Sequence, residues 1–271
     1  MPTIKNINEG KTTSILVKLL AFTVWTSTLL FGLYILAFYL TSLLNGDPEK
    51  WNKMLPELYD ANENIATTGI GFHFAAGGII LILGCIQLVE KIRKKYIKLH
   101  KIIGVFYILS SIIAGIGGLI FIFSKGTIGG TVMDIGFSIY GILMILSALL
   151  TVKYALSNNL RQHRSWAFRL FALAVGSWLY RMDYGFWFIL ADGAGHTKNF
   201  QGPFDQVMSF FFYIPNLIIV EIIIRSKRIV FPKLLSYSFN TVLVLATVFI
   251  LIGTYFFTAR FWGPAILSWF S

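Results

Sequence analysis

Apolar runs of about twenty residues recur along this chain, separated by short polar connections, and that recurrence decides its fold class. A helix crossing a bilayer needs ~20 mostly apolar residues. Seven stretches meet the requirement: residues 16–44, 67–90, 101–123, 131–153, 165–190, 206–224 and 236–258. The third contains Gly115, Gly117 and Gly118, and the fifth is the least apolar, carrying Arg169, Arg181 and Asp183. Only 13% of the 271 residues are charged, against ~25% in an ordinary soluble domain. A soluble globule of this size cannot hide so much apolar surface. A cytosolic enzyme, a disordered chain and a secreted disulfide scaffold are excluded. The single cysteine, Cys85, leaves no internal disulfide and no cysteine-based zinc site.

The sequence therefore predicts an all-α integral membrane bundle of seven transmembrane helices, one polytopic domain over residues 1–271. A first anchor helix covers 16–44, a four-helix core covers 65–190, and two further helices lie within 206–258. The first span is too long for the apolar part of a cleaved signal and is expected to stay as an anchor. Trp262–Phe270 is a short apolar stretch behind Gly263-Pro264, either a surface-lying tail or a kinked extension.

The net charge of +11 is an orientation code. Lys5, Lys11 and Lys18 precede or open the first span. The run from Lys91 to Lys101 follows the second, Lys153, Arg161 and Arg164 follow the fourth, and Arg225, Lys227, Arg228 and Lys233 follow the sixth. With Arg169, these place 17 of the 23 basic residues on one side of a seven-span chain. That side is cytoplasmic by the positive-inside rule. The N-terminus is then expected inside, the C-terminus outside, and the chain in a bacterial inner membrane. The lipid bilayer is its solvent, with anionic lipid a candidate partner at the cytoplasmic face. Nucleic-acid binding has no support beyond charge that topology already explains.

The openings of the third and fifth spans match. Leu99-His100-Lys101-Ile102-Ile103-Gly104 parallels Gln162-His163-Arg164-Ser165-Trp166-Ala167. Each has a histidine, then a cation, then a small residue one helical turn on, on the histidine's own face. A small residue there admits a neighbouring helix or a flat ligand. The hairpin of spans two and three is thus a candidate repeat of the hairpin of spans four and five.

Ionisable groups at membrane depth are costly and commonly functional. They form two layers here. The inner layer is His100, His163, Arg161, Arg164, Arg169 and Arg93-Lys94-Lys95. Neutral imidazoles there can accept a proton or ligate a metal. If haem iron or another metal is bound, His100 and His163 are its expected ligands, with Arg164 and Arg169 facing propionates or a polar head. Haem b is the candidate cofactor. The outer layer is His73, Asp134, Arg181 and Asp183. It is either an ion-pair knot or an outward-facing polar pocket with His73 as proton carrier. Tyr180, Tyr184, Trp178 and Trp187 flank it as an aromatic belt. His196 is expected in a flexible outer loop without a role, and Glu221 to pair with Arg225 one turn on. Zincin, serine-hydrolase and P-loop motifs are missing from the sequence.

At His73, Gly77, Gly84 and Gln87, the opening around His100 and Gly104, and the stretch Gln162 to Arg169, the chain resembles an uncharacterised bacterial family of multi-pass membrane proteins, domain of unknown function 2306. The resemblance covers about residues 65–190, and Ala167 stands where that family usually has methionine. It carries no function. More loosely, histidines on a four-helix core look like cytochrome b561 and the ferric reductases, which hold haem at both membrane faces. This chain offers only His73, His100 and His163 in that core, enough for one inner haem. The readings left open are a b-type cytochrome or quinone-binding redox protein using His100 and His163, a proton-coupled small-solute or lipid transporter using the outer pocket, and a non-catalytic membrane subunit or sensor.

Overall fold

The computed structural model describes residues 7–225 and 233–269. Every regular element among the described residues is helical. α1 (Ile7–Ile35) passes through a π-turn (Leu36–Leu40) into α2 (Thr41–Leu44), and a 3-10 turn (Pro48–Lys53) follows. Then come α3 (Asn64–Leu88), the short α4 (Glu90–Lys95), α5 (Ile97–Lys125) and α6 (Gly130–Leu156). The second half holds α7 (Leu160–Ala174), α8 (Gly176–Ala191), α9 (Pro203–Phe211) and α10 (Ile214–Arg225). α11 (Lys233–Phe257) runs through a second π-turn (Thr258–Trp262) into α12 (Gly263–Leu267).

Six segments among the described residues are long and apolar enough to cross a bilayer: Thr12–Leu44, Asn64–Leu88, Ile97–Lys125, Gly130–Leu156, Pro203–Arg225 and Tyr237–Leu267. They correspond to six of the seven stretches marked in the sequence. The remaining one, residues 165–190, is not a single apolar helix. It is divided between α7 and α8, and α7 carries Arg161, Arg164 and Arg169. The pair still accompanies α6 from end to end. His163 in the first turn of α7 bonds to Thr151 near the end of α6, and Gln201 beyond α8 lies beside Gly130 at its start.

The division has a local cause. Val175 has a ψ of −9°, short of the helical value, and Gly176 lies against Phe212. A methyl at Gly176 would come within 3.2 Å of the Phe212 ring. Phe212 itself sits at the break between α9 and α10, where Pro215 opens the second helix and cannot donate to the preceding turn. Two interrupted helices thus meet at their interruptions.

Lipid gives little hydrophobic drive between helices, so close approach of backbones must hold them. α3 and α5 achieve it through Gly69 and Gly117, each facing the other's carbonyl. An added methyl would lie 2.8 Å from the Gly117 oxygen at the first, and 2.5 Å from the Gly69 oxygen at the second. Gly32 and Gly78 pair α1 with α3 in the same way. Gly136 lies against the Ser209 carbonyl, joining α6 to α9. Gly104, marked in the sequence as a packing residue, has more room: a methyl there would meet the Gln87 amide oxygen at 3.4 Å.

One buried cluster joins α1, α3, α8, α11 and the Trp51 loop. Another joins α3, α5, α6, α7 and α9 around Tyr140, Leu170 and Leu173. Trp262 is buried against Phe31 and Phe257, so the stretch from Trp262 prolongs α11 as a kinked extension rather than lying on a surface. Phe270, Lys5, Lys227 and Arg228 lie outside the described residues.

Candidate functional site: a polar-walled cavity between four helices

A cavity of about 170 Å³ lies between α3, α5, α6 and α8. Its rim is built from three loops at one end of the bundle, through Leu55–Leu58, Gly126–Ile128 and Phe200. It reaches inward to Met144, about 20 Å along α6 from Gly130 at ~1.5 Å per residue. Most of its wall is aromatic and aliphatic. Two ionisable side chains interrupt that wall in its depth, His73 from α3 and Arg181 from α8.

His73 is fixed by its backbone neighbours. Its Nδ1–H donates to the Ala114 carbonyl of α5 at 2.8 Å. The ring lies against Gly118, where a methyl would come within 3.1 Å of Nδ1. The proton on Nδ1 makes Nε2 the acceptor of the neutral ring. Arg181 donates from Nη1 to the Ser177 carbonyl at 3.2 Å, and its guanidinium lies 5.2 Å from the centre of the Phe31 ring. The phenols of Tyr34 and Tyr39 lie beside it. No carboxylate forms an ion pair with Arg181 among the described residues.

The ion-pair knot expected of the outer layer does not form. Asp134 turns away from Arg181 and closes the α5–α6 connection, its Oδ1 accepting from both the amide and the hydroxyl of Thr127 at 2.7 Å each. Asp183 makes no ion pair among the described residues, because it lies on a different face of α8 from Arg181 and off the cavity wall. Of the four expected residues, the cavity brings together His73 and Arg181.

The flanking aromatics are core rather than belt. Trp178 is buried and donates to Ser27 of α1 at 3.0 Å, and Tyr184 is buried as well. Tyr184 leads to a centre that sequence reasoning missed. Asp205 is fully buried, and its two oxygens accept from the Tyr184 hydroxyl and His196 Nδ1–H at 2.7 Å each and from the amides of Thr197 and Gly202 at 3.0 Å each. His196 is therefore not a free surface histidine. It pins the 192–202 loop to the start of α9. The sequence signal for this was Gly202-Pro203-Phe204-Asp205, a helix opening with an acidic residue at its third position, which turns back to cap its own N-terminus.

At the opposite, basic end, His100 and His163 occupy equivalent places. Each is the fourth residue of its helix, and each amide makes the first bond of that helix, to Tyr96 and Asn159. The side chains then differ. His163 donates from Nδ1 to the Thr151 carbonyl at 2.9 Å. His100 Nδ1 is buried without a protein partner, although Gln87 donates to its carbonyl at 3.2 Å. The two rings are near enough for a charge on one to be felt at the other. Arg169 is taken by Glu221, with Nε and Nη2 at 3.1 and 2.7 Å from one oxygen, and Arg225 holds the other at 2.7 Å. Glu221 thus pairs with Arg225 as the spacing predicts, and with a second arginine 52 residues away. Arg164 lies over Phe168 and is exposed. Among the described residues no three histidine, cysteine or acidic side chains come together as a metal cluster.

A helical bundle with six segments able to cross a bilayer and an internal polar-walled cavity defines a multi-pass membrane protein. The chain belongs to the family described as predicted membrane protein (DUF2306), whose model matches residues 70–224. That stretch extends the resemblance read from the sequence through α9 and α10, and takes in His73, Arg181, His196, Asp205 and Glu221. No curated protein and no solved structure matches the chain.

Proposed function

We propose that this protein binds and carries a small solute, using the cavity walled by His73 and Arg181. The observation that carries the reading is the cavity's form: enclosed by four helices, rimmed by loops at one end, apolar except for two fixed ionisable groups. Ligand sites have this composition, many apolar contacts and a few polar groups that set orientation. In lipid, an ionisable pair on a cavity wall marks a pathway or a binding site by default. His73, neutral and held by Ala114, presents Nε2 as a proton acceptor, which suits proton-coupled movement.

The reading takes the chain as one domain crossing the bilayer seven times, with α7 and α8 together as the fifth crossing. The basic end then faces the cytoplasm of a bacterial cell and the rim faces outside. Cysteine labelling tests it. Cys85 is buried, so background is low. Ser177→Cys on the cavity wall is expected to react in intact cells with a membrane-impermeant methanethiosulfonate, and Ile128→Trp on the rim to slow that reaction at least tenfold. A Ser177→Cys protein that labels only after denaturation would overturn the reading.

A second reading keeps His100 and His163 as partners of haem or a quinone. It is favoured by the unpartnered Nδ1 of His100 beside a histidine whose Nδ1–H is already anchored on a carbonyl. Such anchoring orients an imidazole toward a metal, and two imidazoles suit haem b. Haem would supply one-electron transfer there. The visible spectrum of detergent-purified protein, oxidised and dithionite-reduced, decides: a Soret band lost in His100→Ala and His163→Ala supports this reading, and a colourless protein removes its haem form.

A further inference from the structure

We infer that the solute is a small organic monoanion with a flat apolar body, a benzoate-like acid, held by Arg181. This deepens the cavity reading and rests on it. The first ground is charge. A guanidinium at membrane depth is expensive unless an anion lies against it. Arg181 has five N–H donors, and the donations described above account for one of them, to the Ser177 carbonyl. Phe31 and the two phenols soften its environment without neutralising it. The two nearest acids of the expected outer layer are engaged or turned elsewhere, Asp134 on Thr127 and Asp183 off the wall. The one acid on the lining, Glu57, stands exposed on the rim loop and forms no pair with Arg181. The missing counter-charge is therefore expected from the ligand.

The second ground is the shape of the donors. A guanidinium matches a carboxylate with two parallel N–H bonds. His73 Nε2 is the other polar atom available in the depth of the wall, and as an acceptor it suits a protonated acid on entry. The third ground is size. At ~10–15 Å³ of cavity per water-sized group, a volume of about 170 Å³ takes roughly a dozen non-hydrogen atoms. A diacyl lipid or a quinone tail does not fit within it. The body of the ligand would lie among Phe74, Phe121, Phe137, Tyr140 and Phe212, which favours a flat ring over a polar or branched one.

Equilibrium dialysis of the full chain in nanodiscs, with radiolabelled benzoate and its neutral isostere benzamide, tests this. Saturable binding of one benzoate per chain is expected, with benzamide at least tenfold weaker. Arg181→Gln should weaken benzoate at least tenfold and leave benzamide unchanged, and Ile128→Trp should reduce both. The comparison of the two probes on the unmodified protein needs no variant, so it decides even if Arg181→Gln fails to fold. Equal affinity for the two probes would overturn the anion inference and leave the cavity reading intact. No saturable binding of either probe, or binding that Ile128→Trp does not touch, would overturn both.

Discussion

Asp205 and Arg181 are both ions removed from bulk water, and their surroundings could hardly differ more. Asp205 is closed off on every side by donors from α8, the 192–202 loop and its own helix start. Arg181 bonds to one carbonyl, rests on an aromatic ring and turns toward a cavity. A buried charge whose bonds are complete is part of the architecture, because nothing further can bind to it. A buried charge whose bonds are incomplete costs stability and persists where something else completes it. The contrast separates the residue that builds the loop end from the residue that makes that end useful.

Four substitutions sharpen or break this contrast. The largest effect is expected from Asp205→Ala, which leaves the Tyr184 hydroxyl, His196 and two amides without their acceptor. The loss should be about 3–5 kcal/mol, as for other broken buried pairs, read as a fall in the midpoint of denaturation in nanodiscs. Next is Arg169→Leu, which parts α7 from Glu221 on α10 at the half-exposed basic end. Solvent there screens the pair, so about 1–2 kcal/mol is expected by the same measurement, and a double-mutant cycle with Glu221→Gln should recover most of it as coupling.

Arg181→Leu should then move stability by no more than about 1 kcal/mol, or raise it, since an unpaired ion gives way to a hydrocarbon. A loss as large as that of Asp205→Ala would erase the distinction between the two sites. The smallest effect belongs to Asp60, whose carboxyl is held below the usual range by the Asn62 amide and the Lys125 ammonium at 3.3 Å. Its contribution is present above the ordinary carboxylate range and disappears as pH falls through the lowered value. Asp60→Asn should therefore lower the denaturation midpoint slightly at neutral pH and leave it unchanged under strongly acidic conditions.

The membrane class was legible because apolar runs need no partner to be recognised. Six of the seven runs match helices, and the polar α7 explains why the seventh looked weakest. The equivalent histidines at two helix openings were legible as well, since the pattern is local. What a side chain reaches across the bundle was not. Arg169 looked free for a ligand because Glu221 is 52 residues away, and Asp134 looked available to Arg181 although Thr127, seven residues back, had a shorter path to it. The polar pocket was legible as a depth in the membrane, while its membership depended on which face of α8 each residue took.

The π-turn at Leu36–Leu40 has a consequence for how this chain tolerates changes in length. A π-turn is one extra residue absorbed by a helix. Removing Ala37 would let α1 and α2 join as a regular helix, and everything beyond would rotate by ~100° relative to Ile35. Tyr39 would leave its stacking on Phe74, and its carbonyl would leave the Trp51 indole that it accepts from. Trp51 belongs to the loop that leads into the rim of the cavity. The helix is thus one residue too long for itself and the right length for the loop it supports, so a single-codon deletion in α1 would be felt in the cover of a cavity built by other helices.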